Sequence, residues 1–250
     1  MRTILQLAFD GTPFCGWQVQ PKDRTAQGDL DRALSLLLQQ TVTTVGAGRT
    51  DTGVHAKQMY VHFDWEVALA PQFADLAHLQ HRLNRFLDPA IHVQRAFEAP
   101  HPEWHARFDA LSRTYHYDLC ANGSPFMRHR AWMVHEVPNF EAMNQAAALL
   151  LEEHDFASFC KSGSDNKTTL CKVSHARWTP VQDHYQFTIT ADRFLRNMVR
   201  AVVGSLLEVG RGNWTIEQFA QRLAAKNRGA MGTSAPAHGL YLAEITYKDI

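Results

Sequence analysis

The chain has 250 residues, 25 Lys and Arg against 25 Asp and Glu, 14 His and 45% apolar side chains. That mixture excludes a disordered polyelectrolyte, and the length allows one large domain or two small ones whose cores need no disulfide or metal staples. A net charge of zero argues against a polyanion partner, yet the charge is segregated: residues 136–160 hold 5 acidic and 0 basic side chains, whereas residues 190–230 hold 7 basic and 3 acidic, and association follows local potential rather than the total.

Ile4–Phe9 alternates as a strand, Leu30–Leu38 has helical apolar spacing, and Thr41–Ala47 is β-branched and strand-like. Met59–Trp65 alternates again, Phe73–Phe86 reads as a helix, and Ile91–Phe97 as a strand. Further on, Arg113–Cys120 predicts a strand and Phe140–Leu151 an amphipathic helix. Lys172–Trp178 and Tyr185–Thr190 predict strands, Phe194–Val209 a long helix, Thr215–Ala225 an extra helix and Gly239–Tyr247 a last strand. The order β-α-β-β-α-β stands twice, which predicts an α+β chain of two split-βαβ (ferredoxin/RRM-like) halves, each an antiparallel sheet with helices on one face. Prolines in the weakly apolar run Glu98–Glu103 mark the seam, giving halves 1–103 and 104–250.

The longest uncharged apolar stretches, Ala146–Leu151 and Ala201–Leu207, fall far short of the ~20 residues that span a bilayer, so no membrane partner is expected. Cys15, Cys120, Cys160 and Cys171 form no C-x-x-C pair and read as reduced thiols of a cytoplasmic protein.

Chemistry concentrates in four places. Ala47–Ala56 (AGRTDTGVHA) is too long for a tight hairpin, and Gly48 and Gly53 can shape a stiff loop around Asp51. Arg49 beside it favours an ionised carboxylate able to act as nucleophile or base. An Asx-type turn braced by a surface ion pair fits the same residues. Tyr115 and Tyr117 share one strand face, as a stacking platform for an unpaired base or as core. Arg196 and Arg200, four apart on the predicted helix, suit phosphate or carboxylate partners or a solvated face. Gly11–Gln20 places Trp17 in a glycine-aromatic loop, as a contact residue or a lid on the core. The histidines lack metal-ligand spacing: His101 and His105 flank a proline-containing run, and His78 and His81 have no completing ligands. With no phosphate-binding glycine loop either, neither metal nor cofactor is expected.

Taken together, these blocks resemble the bacterial tRNA pseudouridine synthase A family, in order through almost the whole chain. The carrying segments are Phe9–Gln18, Gly48–Ala56, His105–Phe108 with Arg113–Tyr117, Asp155–Phe159, Phe194–Arg200 with Val203–Gly210, and Ala235–Leu242. The resemblance implies cofactor-free isomerisation of uridine to pseudouridine in the anticodon stem-loop of tRNA, at the positions the family numbers 38, 39 and 40. It implies a homodimer, and within each chain two halves joined side by side around a central cleft, with helices on the outer face. Residue by residue, Asp51 would be the catalytic carboxylate and Arg49 its partner, able to fill the place the base vacates. Tyr115 would stack on the flipped uracil, and Arg200 would pair with Asp51. An idle RNA-binding module is the rival reading, disfavoured by the retained Asp51. The 14 His predict that mild acid raises RNA affinity.

Overall fold

The computed structural model describes residues 1–121, 123–160 and 167–250. In chain order its elements are β1 (Arg2–Phe9), α1 (Ala26–Leu38), β2 (Val45–Gly46), β3 (His55–Asp64), α2 (Leu76–Phe86), β4 (Ile91–Glu98), β5 (Ala110–Cys120), β6 (Trp132–Met133), α3 (Phe140–Ala148), β7 (Val173–Val181), β8 (His184–Ala191), α4 (Met198–Gly210), α5 (Ile216–Ala224) and β9 (Leu240–Tyr247). The fold is α+β, and its chain forms two compact units: Met1–Leu111 with Leu242–Ile250, and Ser112–Tyr241.

In the first unit, β1 lies between β3 and β4 and is antiparallel to both, and β2 pairs antiparallel with β3. Ile4, Leu5 and Leu7 of β1 are fully buried, as are Leu30 and Leu34 of α1 and Leu79 and Leu83 of α2; each such side chain contributes roughly 1.5–3 kcal/mol. Thr25 caps α1 by accepting the Gly28 N–H, and Asp75 caps α2 by accepting the Ala77 N–H. The cap shortens the predicted Phe73–Phe86 helix, because Pro71–Phe73 forms a separate 3-10 turn ahead of it. The strand expected over Thr41–Ala47 shrinks to Val45–Gly46. Side chains of α1 take its backbone groups instead: Ser35 accepts the Val42 N–H, Asp31 accepts the Thr44 N–H, and Gln27 donates to the Thr44 carbonyl.

In the second unit, β5 pairs antiparallel with β8, β8 with β7, and β6 adds to β5 in parallel. Helix α3 packs on β7 and β8: Asn144 bonds both the N–H and the carbonyl of Trp178, and the Phe140 ring stacks on Tyr185 of β8 at 3.7 Å between centroids. Helix α4 is buried at every position except Arg200 and Glu208, the pattern of a central helix. At Gly204, a Cβ would stand 1.8 Å from the Thr233 carbonyl oxygen, so only glycine lets the 231–235 segment pass that close. Among the described residues, no helix is long and apolar enough to cross a membrane.

Candidate active site

Residues 47–54 connect β2 to β3, and their foot is fixed by the Ala47 N–H donating to the Tyr60 carbonyl at 2.9 Å. Asp51 opens a turn, its carbonyl accepting the Val54 N–H at 3.1 Å. Gly53, at φ 77°, occupies the third position of that turn, where a type II turn demands positive φ. The segment after β1 braces the loop on both sides of Asp51. Trp17 N–H donates to the Thr50 carbonyl at 3.3 Å, Gly53 N–H to the Phe14 carbonyl at 3.4 Å, and Gly11 N–H to His55 Nδ1 at 3.0 Å. A Cβ on Gly11 would stand 2.1 Å from the Val54 oxygen, and one on Gly16 (φ 85°) 2.4 Å from the Thr50 oxygen. Two backbones thus touch through two glycines, holding Asp51 half-buried and Arg49 exposed. The adjacent Thr50 hydroxyl is buried with no hydrogen-bond partner among the described residues.

Trp17 is a strut in this brace. It is 1% exposed, stacks on Phe9 at 5.8 Å, and lies so near Gly46 that a Cβ there would be 2.5 Å from the indole Nε1. Between contact residue and lid on the core, the structure selects the core.

In the second unit, the two tyrosines of β5 part company. Tyr117 is fully buried and donates to the Pro236 carbonyl at 2.9 Å; burial pushes its hydroxyl pKa well up, with the Arg200 charge acting the other way. Tyr115, on the same strand face, is half-buried, and its ring meets Phe194 edge-on at 5.0 Å. One tyrosine is core, and the other keeps an accessible ring.

The helix expected from Phe194 begins only at Met198, because Asn197 adopts a left-handed backbone (φ 65°) that no helix continues through. Arg196 therefore lies in the preceding turn, exposed, and shares no helix face with Arg200. Arg200 occupies the first turn of α4, its Nε donating to the Ala235 carbonyl at 2.7 Å while Ala235 N–H returns a bond to the Arg200 carbonyl at 2.9 Å. Since Pro236 receives the Tyr117 hydroxyl, the 235–236 segment joins Arg200 to the strand that carries Tyr115. Leu195 and Val199, both nearly fully buried, supply apolar surroundings. Phe194, which apolar spacing places only as the start of the predicted helix, packs edge-on against the Tyr115 ring.

Other candidate chemistry is weak. Among the described residues, no group of three His, Cys, Asp or Glu is arranged to hold a metal ion. Burial pushes the Cys171 thiol up to about 12, which makes it inert. Burial first, then His105 and Arg2, push His62 down to about 4, and burial lowers His105 and His238 as well. Of these, His62 stays neutral in mild acid, so it adds no charge to the expected pH effect on RNA binding.

A family model described as tRNA pseudouridine synthase matches residues 146–248. The chain is 46% identical over 248 residues to the tRNA pseudouridine synthase A of Parabacteroides distasonis, covering 99% of this chain and 96% of that protein. It is 45% identical to that of Bacteroides thetaiotaomicron over 99% of this chain and 91% of that protein, and 40% identical to that of Paraburkholderia xenovorans over 99% and 90%. With such identity along nearly its whole length, the chain belongs to the tRNA pseudouridine synthase A family.

Proposed function

We propose that the chain isomerises uridine to pseudouridine in the anticodon stem-loop of tRNA, at positions 38, 39 and 40, without a cofactor or metal. The observation that carries the assignment of the carboxylate is the glycine-built brace on either side of Asp51: a backbone fixed at this cost suits a group that must meet a reacting atom. Asp51 acts on the nucleotide while the C1′–N1 bond breaks; the uracil then turns, C1′ bonds to C5, the C5 proton leaves and N1 gains one. The base must first leave its stack, so a guanidinium that can fill the vacancy and an aromatic ring that receives the base both have work. Exposed Arg49 fits the former role and the accessible ring of Tyr115 the latter. Arg200, fixed by Ala235, is the cation that pairs with Asp51 in the working site.

The halves 1–103 and 104–250 are read as a duplicated split-βαβ unit around a central cleft. The antiparallel pairing of β1 with both β3 and β4, and of the short β2 with β3, supports this for the first copy. A cytoplasmic homodimer completes the proposal. The test is to incubate an unmodified tRNA transcript with the purified protein and map pseudouridine. Wild type should give product, and Asp51→Asn none while still binding tRNA; undiminished product from Asp51→Asn removes Asp51 from the chemistry.

A further inference from the structure

His55 is the first residue of β3 and follows directly on the turn that Asp51 opens. Its imidazole is almost entirely buried, and Nδ1 stands 3.0 Å from the Gly11 nitrogen and 3.1 Å from Asp10 Oδ1. The same Asp10 oxygen accepts the Thr12 N–H at 2.9 Å and the Thr12 hydroxyl at 2.6 Å, while Asp10 N–H is tied to the Ala90 carbonyl at 2.8 Å. One ring nitrogen thus meets a donor on one side and an organised carboxylate on the other. As a lone pair it accepts from Gly11; as an N–H it donates to Asp10; in either form it ties the end of the Asp51 turn to the end of β1.

We propose that His55 and Asp10 are positioning residues for the isomerisation: through Nδ1 they fix the Asp51–Val54 turn, and with it the place of the Asp51 carboxylate. This rests on the catalytic reading of Asp51 given above. The argument is local. His55 is a side-chain anchor at the turn's far end, beside backbone contacts across the same seam, Gly53 to Phe14 and the close pass of Gly11 over Val54. Without the anchor the turn can shift by about 1 Å while the sheet beneath it stays paired.

The experiment compares His55→Asn, His55→Gln and His55→Leu in the full-length protein. An Asn side-chain tip falls where Nδ1 stands, and a Gln tip reaches where Nε2 stands, so the two polar variants differ in which ring nitrogen they imitate. Single-turnover pseudouridine formation at saturating enzyme, tRNA Kd and Tm are measured for each, with Asp51→Asn alongside. His55→Leu should slow turnover about 10²-fold, the scale set by a 1 Å misplacement, with tRNA Kd within about two-fold of wild type. His55→Asn should recover most of the rate and His55→Gln should not, at matched Tm. The proposal is overturned if Gln restores the rate as well as Asn, if His55→Leu turns over at the wild-type rate, or if the rates follow Tm alone. Wild-type turnover by Asp51→Asn would instead sink the catalytic reading, whatever the His55 series does.

Discussion

His62 offers the sharpest quantitative test of how the first unit is held together. It is 4% exposed, its Nδ1 accepts the Ala106 N–H at 3.2 Å, and its ring meets Trp104 edge-on at 5.9 Å and His105 at 4.8 Å. Burial, reinforced by His105 and Arg2 and opposed by Asp64 and Asp109, lowers its pKa from 6.5 to about 4. The folded protein therefore keeps His62 neutral where the unfolded chain has already taken up a proton. Stability is complete above pH 6.5 and is lost as pH falls from there towards 4. Between pH 7 and pH 5 the linkage relation gives a loss of about 2 kcal/mol from this group. The perturbation is His62→Asn, which keeps an acceptor for Ala106 and removes the titration. Urea unfolding followed by tryptophan fluorescence at pH 7, 6 and 5 supplies the free energies. The variant should be less stable at pH 7 because it packs less, and its deficit against wild type should shrink by about 2 kcal/mol on going to pH 5. His105, whose ring lies 4.8 Å away, is lowered too, chiefly by burial. A deficit that stays constant across the range would refute the reasoning.

Two further outcomes are expected. Gly11→Ala pushes a Cβ to 2.1 Å from the Val54 oxygen, and because backbone cannot rotate out of the way, it should cost roughly 1–3 kcal/mol of stability and reduce turnover beyond that loss; a variant with the wild-type urea midpoint would show that the seam yields easily. Arg200→Ala should lower single-turnover pseudouridine formation about 10²-fold while changing tRNA Kd far less, since its Nε is committed to Ala235 rather than to a broad surface; unchanged turnover would remove it from the site.

What was legible in the sequence followed the physics of periodicity. β1, α1, β4, α5 and β9 stand within a few residues of their apolar patterns because a buried strand or stripe must write itself in the spacing. The failures came where a backbone group found a partner outside its own element. Thr41–Thr44 has strand composition, but Asp31, Ser35 and Gln27 of α1 satisfy its backbone, which no local window can register. Helix α4 starts four residues late because Asn197 goes left-handed, its amide bonded to Ser234 at 2.6 Å, 37 residues away in sequence. β3 begins four residues before its alternation becomes visible, since His55 and Ala56 are both buried and Lys57 and Gln58 are not, which breaks the period of two. At the site, Asp51, Arg49, Tyr115 and Arg200 could be picked out by resemblance. The division of labour between Tyr115 and Tyr117, and the reduction of Trp17 to a strut, depended on burial that spacing does not encode.

The last strand has a consequence for how the protein is made. Leu242–Ile250 belongs with Met1–Leu111, and the 130 residues of the other unit intervene. Chains emerge from the ribosome N-terminus first, at about 5–20 residues per second. The first unit must therefore wait on the order of ten seconds, one strand short, before β9 arrives. During that interval Gln58, which in the finished protein accepts the Ile245 N–H at 2.7 Å, faces water, and the Tyr60 ring lacks the edge of Tyr247. The second unit, Ser112–Tyr241, is continuous and can close first. The segment bearing Asp51 is thus translated early, yet its unit is completed only when Leu242–Ile250 arrives.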